Sequence, residues 1–327
     1  MINELLVLAA CSSCMYALAG TVNSHVEVAG IAQLIDKKFL SVTLDAGELY
    51  HGFGSRFQYQ NPTVMGLAKA LSPAWLRVGG TDADFLYYQG FDSSEGSSGL
   101  AASLGDPVEP VNRTSFDALA NFAHEAGWKL IFGLNELNRT NDGTSGGTWD
   151  PTNAETLIRH AHVNRQVVGW ELGNEMDLSG SHNKTTFNMS AQTVAKDFEV
   201  LSGLLTKIYG ATNNDSYDAP TLVGCDVAGQ LDYLEDFAAA LAGSGHAKDV
   251  GALTWHHYYE NGHTSTAEQF IEPKVLDKVR AGIDQVQQIK AKYLPDAEPI
   301  LGESSSAYDG GTYGVSDRFA STFWWLD

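Results

Sequence analysis

Seven times along this chain a short apolar or β-branched run gives way to a stretch whose apolar residues recur at helical spacing. The runs are 39–46, 75–80, 129–135, 167–175, 221–227, 252–259 and 299–306, each apolar enough to be buried on both faces. The segments between and after them, 63–71, 115–126, 153–162, 191–209, 231–241, 274–292 and 316–327, read as helices. Segment 191–209 is the clearest. Val194, Phe198, Leu201, Leu205 and Ile208 line one face, with Ser190 at the N-cap and Gly210 at the C-cap. Strands alternating with helices require parallel pairing through crossovers. Their number suits an α/β fold of the (β/α)8 TIM-barrel type better than a doubly wound sheet. The sequence stops at Asp327, inside the seventh helical segment. The expected barrel is therefore truncated after its seventh strand-helix unit and lacks the eighth.

A core of that size is within reach of 327 residues at 43% hydrophobic composition. Twenty Lys and Arg stand against 40 Asp and Glu, a formal charge of -20, which argues against nucleic acid or an anionic membrane as a partner. Residues 5–18 are apolar and Ala17-Leu18-Ala19 places small residues two apart, so 1–19 reads as a signal peptide. No later run is long enough for a membrane span. Removal of that peptide takes Cys11 and Cys14 with it and leaves Cys225 alone, a buried apolar filler rather than half of a disulfide. Asn112, Asn138, Asn183, Asn188 and Asn214 occupy N-glycosylation sequons, in keeping with a secreted glycoprotein. The serine- and glycine-rich segment 93–105 reads as an exposed loop.

Active-site groups of such barrels come from the carboxyl ends of the strands. By that rule Glu175, at the end of the fourth run, and Glu303, in the seventh, both face the mouth. Glu171 has the parity of Glu175 but lies deeper, as a structural or supporting carboxylate. Either glutamate alone could be an ordinary ion-pair or capping group. Two at matching positions are what glycoside hydrolysis requires, one carboxylic acid protonating the leaving oxygen and the other attacking the anomeric carbon. His256 and His257 are adjacent on one strand and face opposite sides, so they do not share a metal. No cofactor or metal is expected. Trp149, Trp170 and Trp255 are core residues unless exposed at the mouth.

Four segments carry a resemblance: Trp170-Glu171-Leu172-Gly173-Asn174-Glu175, Thr254-Trp255-His256-His257-Tyr258-Tyr259, Leu301-Gly302-Glu303-Ser304-Ser305-Ser306-Ala307-Tyr308 and Leu76-Arg77-Val78-Gly79-Gly80-Thr81. Together they resemble the heparanase family, glycoside hydrolase family 79, over about residues 39–327. The resemblance implies a retaining endo-β-glucuronidase that cleaves glycosaminoglycans, with Glu175 as acid/base and Glu303 as nucleophile. It further implies that Asn174 binds the sugar 2-hydroxyl, that Tyr258 sits near Glu303, and that Asp45, Thr81, His263 and Gly310 contact substrate. Arg77 would keep Glu303 ionised, with His256 as a further supporting group. Activity is expected to peak below neutral pH.

The family also has a β-sandwich after its barrel. Residues 20–36 would add a strand to it, and residues 37–327 would form the incomplete catalytic barrel. The sequence also departs from the family pattern in its loops. Asp84-Phe85-Leu86 reaches Phe116 through a short connection, so removal of a large linker is unnecessary. Asp309 replaces a glycine, and His263 stands where arginine is frequent. Basic residues at the mouth reduce to Arg56, Arg139, Lys184 and His263. Heparan sulfate is the favoured substrate, leech-type cleavage of hyaluronan the alternative, and an inactive glycan-binding homologue a third reading. The expected location is secreted, in the extracellular matrix or lysosome.

Overall fold

A computed structural model describes residues 35–54, 56–91, 109–140, 147–166, 168–180, 188–210 and 220–322. The segments read as a signal peptide (1–19) and a serine-rich loop (93–105) lie outside these residues. So do Asn183, Asn214, Lys184 and nearly all of 20–36.

All seven expected strands form. They are β1 (Val42–Asp45), β2 (Ala74–Gly79), β5 (Trp128–Leu134), β6 (Val168–Leu172), β7 (Leu222–Val227), β8 (Val250–Asn261) and β9 (Glu298–Tyr308), all parallel in the order β1-β2-β5-β6-β7-β8-β9. The sheet curls into a nearly closed barrel, and the Thr43 hydroxyl on β1 donates to Gly302 O on β9 at 2.7 Å. A second, two-stranded parallel sheet, β3 (Leu86–Gln89) with β4 (Glu109–Asn112), was not expected from the sequence.

Alternation along the strands sorts the side chains. Outward residues such as Leu130, Phe132, Trp170 and Leu253 are buried beneath the helices, in one apolar cluster with Phe116, Phe198 and Phe237. Inside the barrel a small apolar group, Ile131, Val223 and Ala252, packs with Trp75 and Ile300. Towards the carboxyl ends of the strands the buried groups become charged: Arg77, Glu171, Asp226 and His256. Trp149, Trp170 and Trp255 are all buried, so none offers a face to a sugar at the mouth.

The helices pack outside: α1 (Gly47–Tyr50), α2 (Pro62–Ala70), α3 (Arg113–Ala126), α4 (Thr152–Val163), α5 (Ala191–Tyr209) and α6 (Leu231–Ser244). On α5, Ser190 caps the first turn by accepting from Thr193 N at 3.1 Å, and Leu201 is fully buried. The stretch expected as one helix over 274–292 is two, α7 (Pro273–Leu276) and α8 (Lys278–Tyr293), interrupted at Asp277. The expected terminal helix over 316–327 is also corrected. Among the described residues only Phe319–Thr322 is helical. Ser316 is instead drawn to β9, its hydroxyl 2.8 Å from that of Ser306 and accepting from Thr312 N at 2.8 Å.

Candidate active site

Glu175 does not end its strand. β6 stops at Leu172, and Glu175 follows in the left-handed region at φ 52°, which non-glycine residues seldom occupy. Its N–H donates to Asp226 O at 2.9 Å, fixing the turn against β7. Glu303 is likewise not terminal. β9 runs on to Tyr308 because β8 extends beside it to Asn261, and Glu303 lies in register with His256. Both glutamates nonetheless reach the same place. A carboxylate oxygen of Glu175, one of Glu303 and a ring nitrogen of His256 lie within 4.8 Å of one another.

Both oxygens of Glu303 are held. Arg77 Nη1 donates to Oε1 at 2.8 Å and the Tyr258 hydroxyl to Oε2 at 2.7 Å. Burial alone would raise this carboxyl. The positive charges of His256 and Arg77, with the Tyr258 hydrogen bond, outweigh it and hold Glu303 below the usual carboxylate range. The expectation that Arg77 acts on Glu303 thus has a direct contact behind it. Arg77 is buried and donates further, from Nε to Glu171 at 2.7 Å and from Nη2 to Asn174 at 3.0 Å and to Asp226. Burial opposes its charge, but Asp226, Glu171 and Glu303 keep it protonated. Glu171, fully buried, is pushed up to about 8, burial outweighing the opposing charge of Arg77.

His256 bridges the two halves. Nδ1 is 2.8 Å from Glu175 Oε1 and 3.7 Å from Glu303 Oε2, and Nε2 is 2.7 Å from Asp226 Oδ1. Asp226 was missed in the sequence, although it lies at the carboxyl end of β7, where the rule that selected Glu175 and Glu303 also applies. A Cβ at Gly302 would come within 2.7 Å of Asp226 Oδ1, so only glycine there lets β9 approach the network so closely.

The remaining expected site residues are less uniform. Asn174 is buried, its Oδ1 accepting from Arg77 and from Gly80 N at 3.1 Å. Asp45, at the end of β1, is exposed as a residue but its carboxyl, accepting from Gly47 N at 2.7 Å, is partly shielded from solvent, and that shielding with the charges of Asp82 and Glu303 raises it. Thr81 opens a short 3-10 turn beside it, exposed. His263 and Gly310 belong to the loops after β8 and β9, further from the glutamates along the ribbon. There His263 Nε2 is 3.8 Å from Asp309 Oδ2. Asp309 holds a left-handed φ of 57°, the conformation that the glycine it replaces would favour. Of the sequon residues described, Asn188 is exposed and Asn112 caps α3 through Ser115 N. Asn138 is half-buried, and its Nδ2, the atom to which a glycan would attach, donates to Asp150 O at 2.9 Å.

Comparison with known proteins settles the family. The model described as Glycosyl hydrolase family 79, N-terminal domain, matches residues 55–327. This chain belongs to glycosyl hydrolase family 79. It is similar to heparanase from Rattus norvegicus, 31% identical over 90% of this chain and 59% of the relative. It is also similar to a hyaluronoglucuronidase from Hirudo nipponia, 29% identical over 96% of this chain and 64% of the relative. The family 79 chain thus spans about three-fifths of the length of these relatives. Among solved structures, a 4-O-α-L-rhamnosyl-β-D-glucuronidase from Fusarium oxysporum shares the fold, with a TM-score of 0.56 at 17% identity over 89% of this chain and 59% of that one. Among the described residues no helix is long and apolar enough to cross a membrane.

Proposed function

We infer that this family 79 chain carries the catalytic barrel of a secreted or lysosomal retaining endo-β-glucuronidase acting on a glycosaminoglycan. One observation carries the reading: oxygens of Glu175 and Glu303 lie within 4.8 Å. Retaining enzymes hold their carboxyl groups about 5–5.5 Å apart, whereas inverting ones need about 6.5–9.5 Å to admit a water. Glu303, its carboxyl held low, is the nucleophile. One of its oxygens bonds to the anomeric carbon as the bond to the leaving oxygen breaks, and Glu175 gives that oxygen its proton. Water then attacks the glycosyl-enzyme, Glu175 takes the water's proton, and Glu303 leaves as a carboxylate. Asn174, beside Glu175, would meet the 2-hydroxyl, Tyr258 and Arg77 orient Glu303, and Asp45, Thr81, His263 and Gly310 line the approach.

The test is hydrolysis of an aryl β-glucuronide and of heparan sulfate and hyaluronan oligosaccharides. Glu303→Gln should be inactive. Glu175→Ala should lose about 10²–10⁴-fold on substrates whose leaving group needs a proton, with activity on activated aryl glycosides restored by azide. Undiminished cleavage by Glu303→Gln removes it from the nucleophile's role.

Heparan sulfate remains the first substrate, but a second reading has an observation of its own. Arg139, counted among the basic groups of the mouth, has a side chain only 5% exposed and donates to Asp197 at 2.7 Å, so it does not reach a sulfate. His263 faces Asp309, and Asp45 and Asp82 add negative charge near Glu303. Such a rim favours hyaluronan, which carries fewer charges per disaccharide than sulfated heparan chains. Faster release of hyaluronan fragments at equal ionic strength would establish it.

A further inference from the structure

Asp226 stands between the two halves of the site without reaching the cleft. It is fully buried, in the left-handed region at φ 58°, with its N–H bonded to the Thr254 hydroxyl at 3.1 Å. One carboxylate oxygen faces His256 Nε2 at 2.7 Å, the other accepts from Arg77, and its backbone oxygen holds the N–H of Glu175. A path of hydrogen bonds therefore runs from Glu175 through His256, Asp226 and Arg77 to Glu303.

The His256 ring decides what that path does. Each of its nitrogens lies within 2.8 Å of a carboxylate oxygen. An ionised carboxylate only accepts, and a neutral imidazole has one N–H to give. With Asp226 and Glu175 both ionised the ring must be doubly protonated, and when Glu175 takes up its proton on Oε2 its Oε1 still accepts from Nδ1–H. We propose that Asp226 is a positioning residue that keeps His256 an imidazolium, with Nδ1–H aimed at Glu175 Oε1, so that the proton transferred by Glu175 is carried on Oε2. This rests on the glycosidase reading given above.

The surroundings agree. The ring is faced by Asp226 from β7, Glu175 after β6, Glu303 from β9, and at longer range Glu171 and Asp177, with Arg77 as the other cation. Burial disfavours the charged ring, yet Asp226 foremost and then the Glu175 and Glu303 carboxyls bring its pKa up to about 10. After Glu175 has given up its proton, the same Nδ1–H faces the new carboxylate, and it remains in place while water's proton is collected. With Asn at position 226 the ring loses its strongest counter-charge. It then holds one proton, on Nε2, and Nδ1 accepts from Glu175. The acid proton points at His256 instead of at the glycosidic oxygen.

Two measurements on the chain and its Asp226→Asn variant test this. Nitrogen-15 NMR of the His256 ring, assigned with His256→Gln, should show both nitrogens protonated at pH 7 in the parent. The variant's ring should be neutral at that pH. A neutral ring in the parent overturns the proposal without any variant, and so does an unchanged charge in Asp226→Asn. The second measurement is hydrolysis of aryl β-glucuronides graded by leaving group. Asp226→Asn should lose little on a dinitrophenyl glucuronide and about 10²-fold or more on a poor leaving group, with the loss shrinking from pH 7 to pH 5 as the ring regains its proton. A loss uniform across leaving groups overturns the proposal. If the parent cleaves no β-glucuronide the glycosidase reading fails instead, and the ring's charge still decides the role of Asp226.

Discussion

Glu136 is an acid placed where a charge is costly. It is fully buried, with Asp197 and Asp84 as neighbours. Its Oε2 occupies the space that a Cβ at Gly173 would need, and Gly173, at φ 73°, opens the turn to Glu175. Burial foremost, then Asp197, raises its carboxyl well above the ordinary range, and Arg139 offsets only part of this. Folded protein thus favours the protonated acid more than unfolded chain does. That preference contributes fully below the ordinary carboxylate pKa and is lost as pH rises towards the folded value, by about 1.4 kcal/mol for each pH unit that separates the two. Glu136→Gln, which does not titrate, should match the parent's melting temperature near pH 4 and exceed it increasingly up to pH 8. Parallel curves would show that Glu136 is not held neutral. At this scale Glu175, Glu303, Arg77, Asn174 and Tyr258 were legible as candidates because each belongs to a short local motif on or just after a barrel strand. Asp226 and Glu136 were not, since their importance comes from desolvation and from neighbours on other strands.

Among the elements, α5 shows how far local chemistry reaches. Ser190 satisfies an orphan N–H of the first turn and Leu201 lies wholly inside the core. Ser190→Ala should cost about 1 kcal/mol and Leu201→Ala about 2–5 kcal/mol in urea unfolding. No measurable loss in Ser190→Ala would mean that the helix end frays without consequence for packing. The seven barrel strands and helices α2 to α6 were readable, within a few residues, from period and punctuation, whereas the short α1 was not. The break at Asp277, the non-helical 316–318, the small β3–β4 sheet and the long β8–β9 ribbon were not. The β3–β4 and β8–β9 pairings join residues far apart in sequence, and Ser316 is held by Ser306 and Thr312, contacts that a local pattern does not reveal.

For the whole molecule the balance of charge sets the working conditions. A formal charge of -20 at pH 7 implies self-repulsion that eases as carboxylates take up protons. Glu303, held low by His256 and Arg77, stays ionised through that mild acidification. The pH–rate profile should therefore peak below neutrality, its acid limb displaced downwards by the lowered Glu303, and a maximum above pH 8 would contradict the assignment. The sequence by itself determined the parallel α/β alternation, the acidic character and which strands bring the candidate glutamates to the site. These follow from the 2- and 3.6-residue periods and from composition, which need no long-range contact. Only the tertiary structure decided that Glu175 and Glu303 share one site with His256, that Arg139 turns inward, and that Asp226 ties the two carboxyls together. Those outcomes depend on distances between strands and on the cost of burying charge, and neither is encoded at any single position.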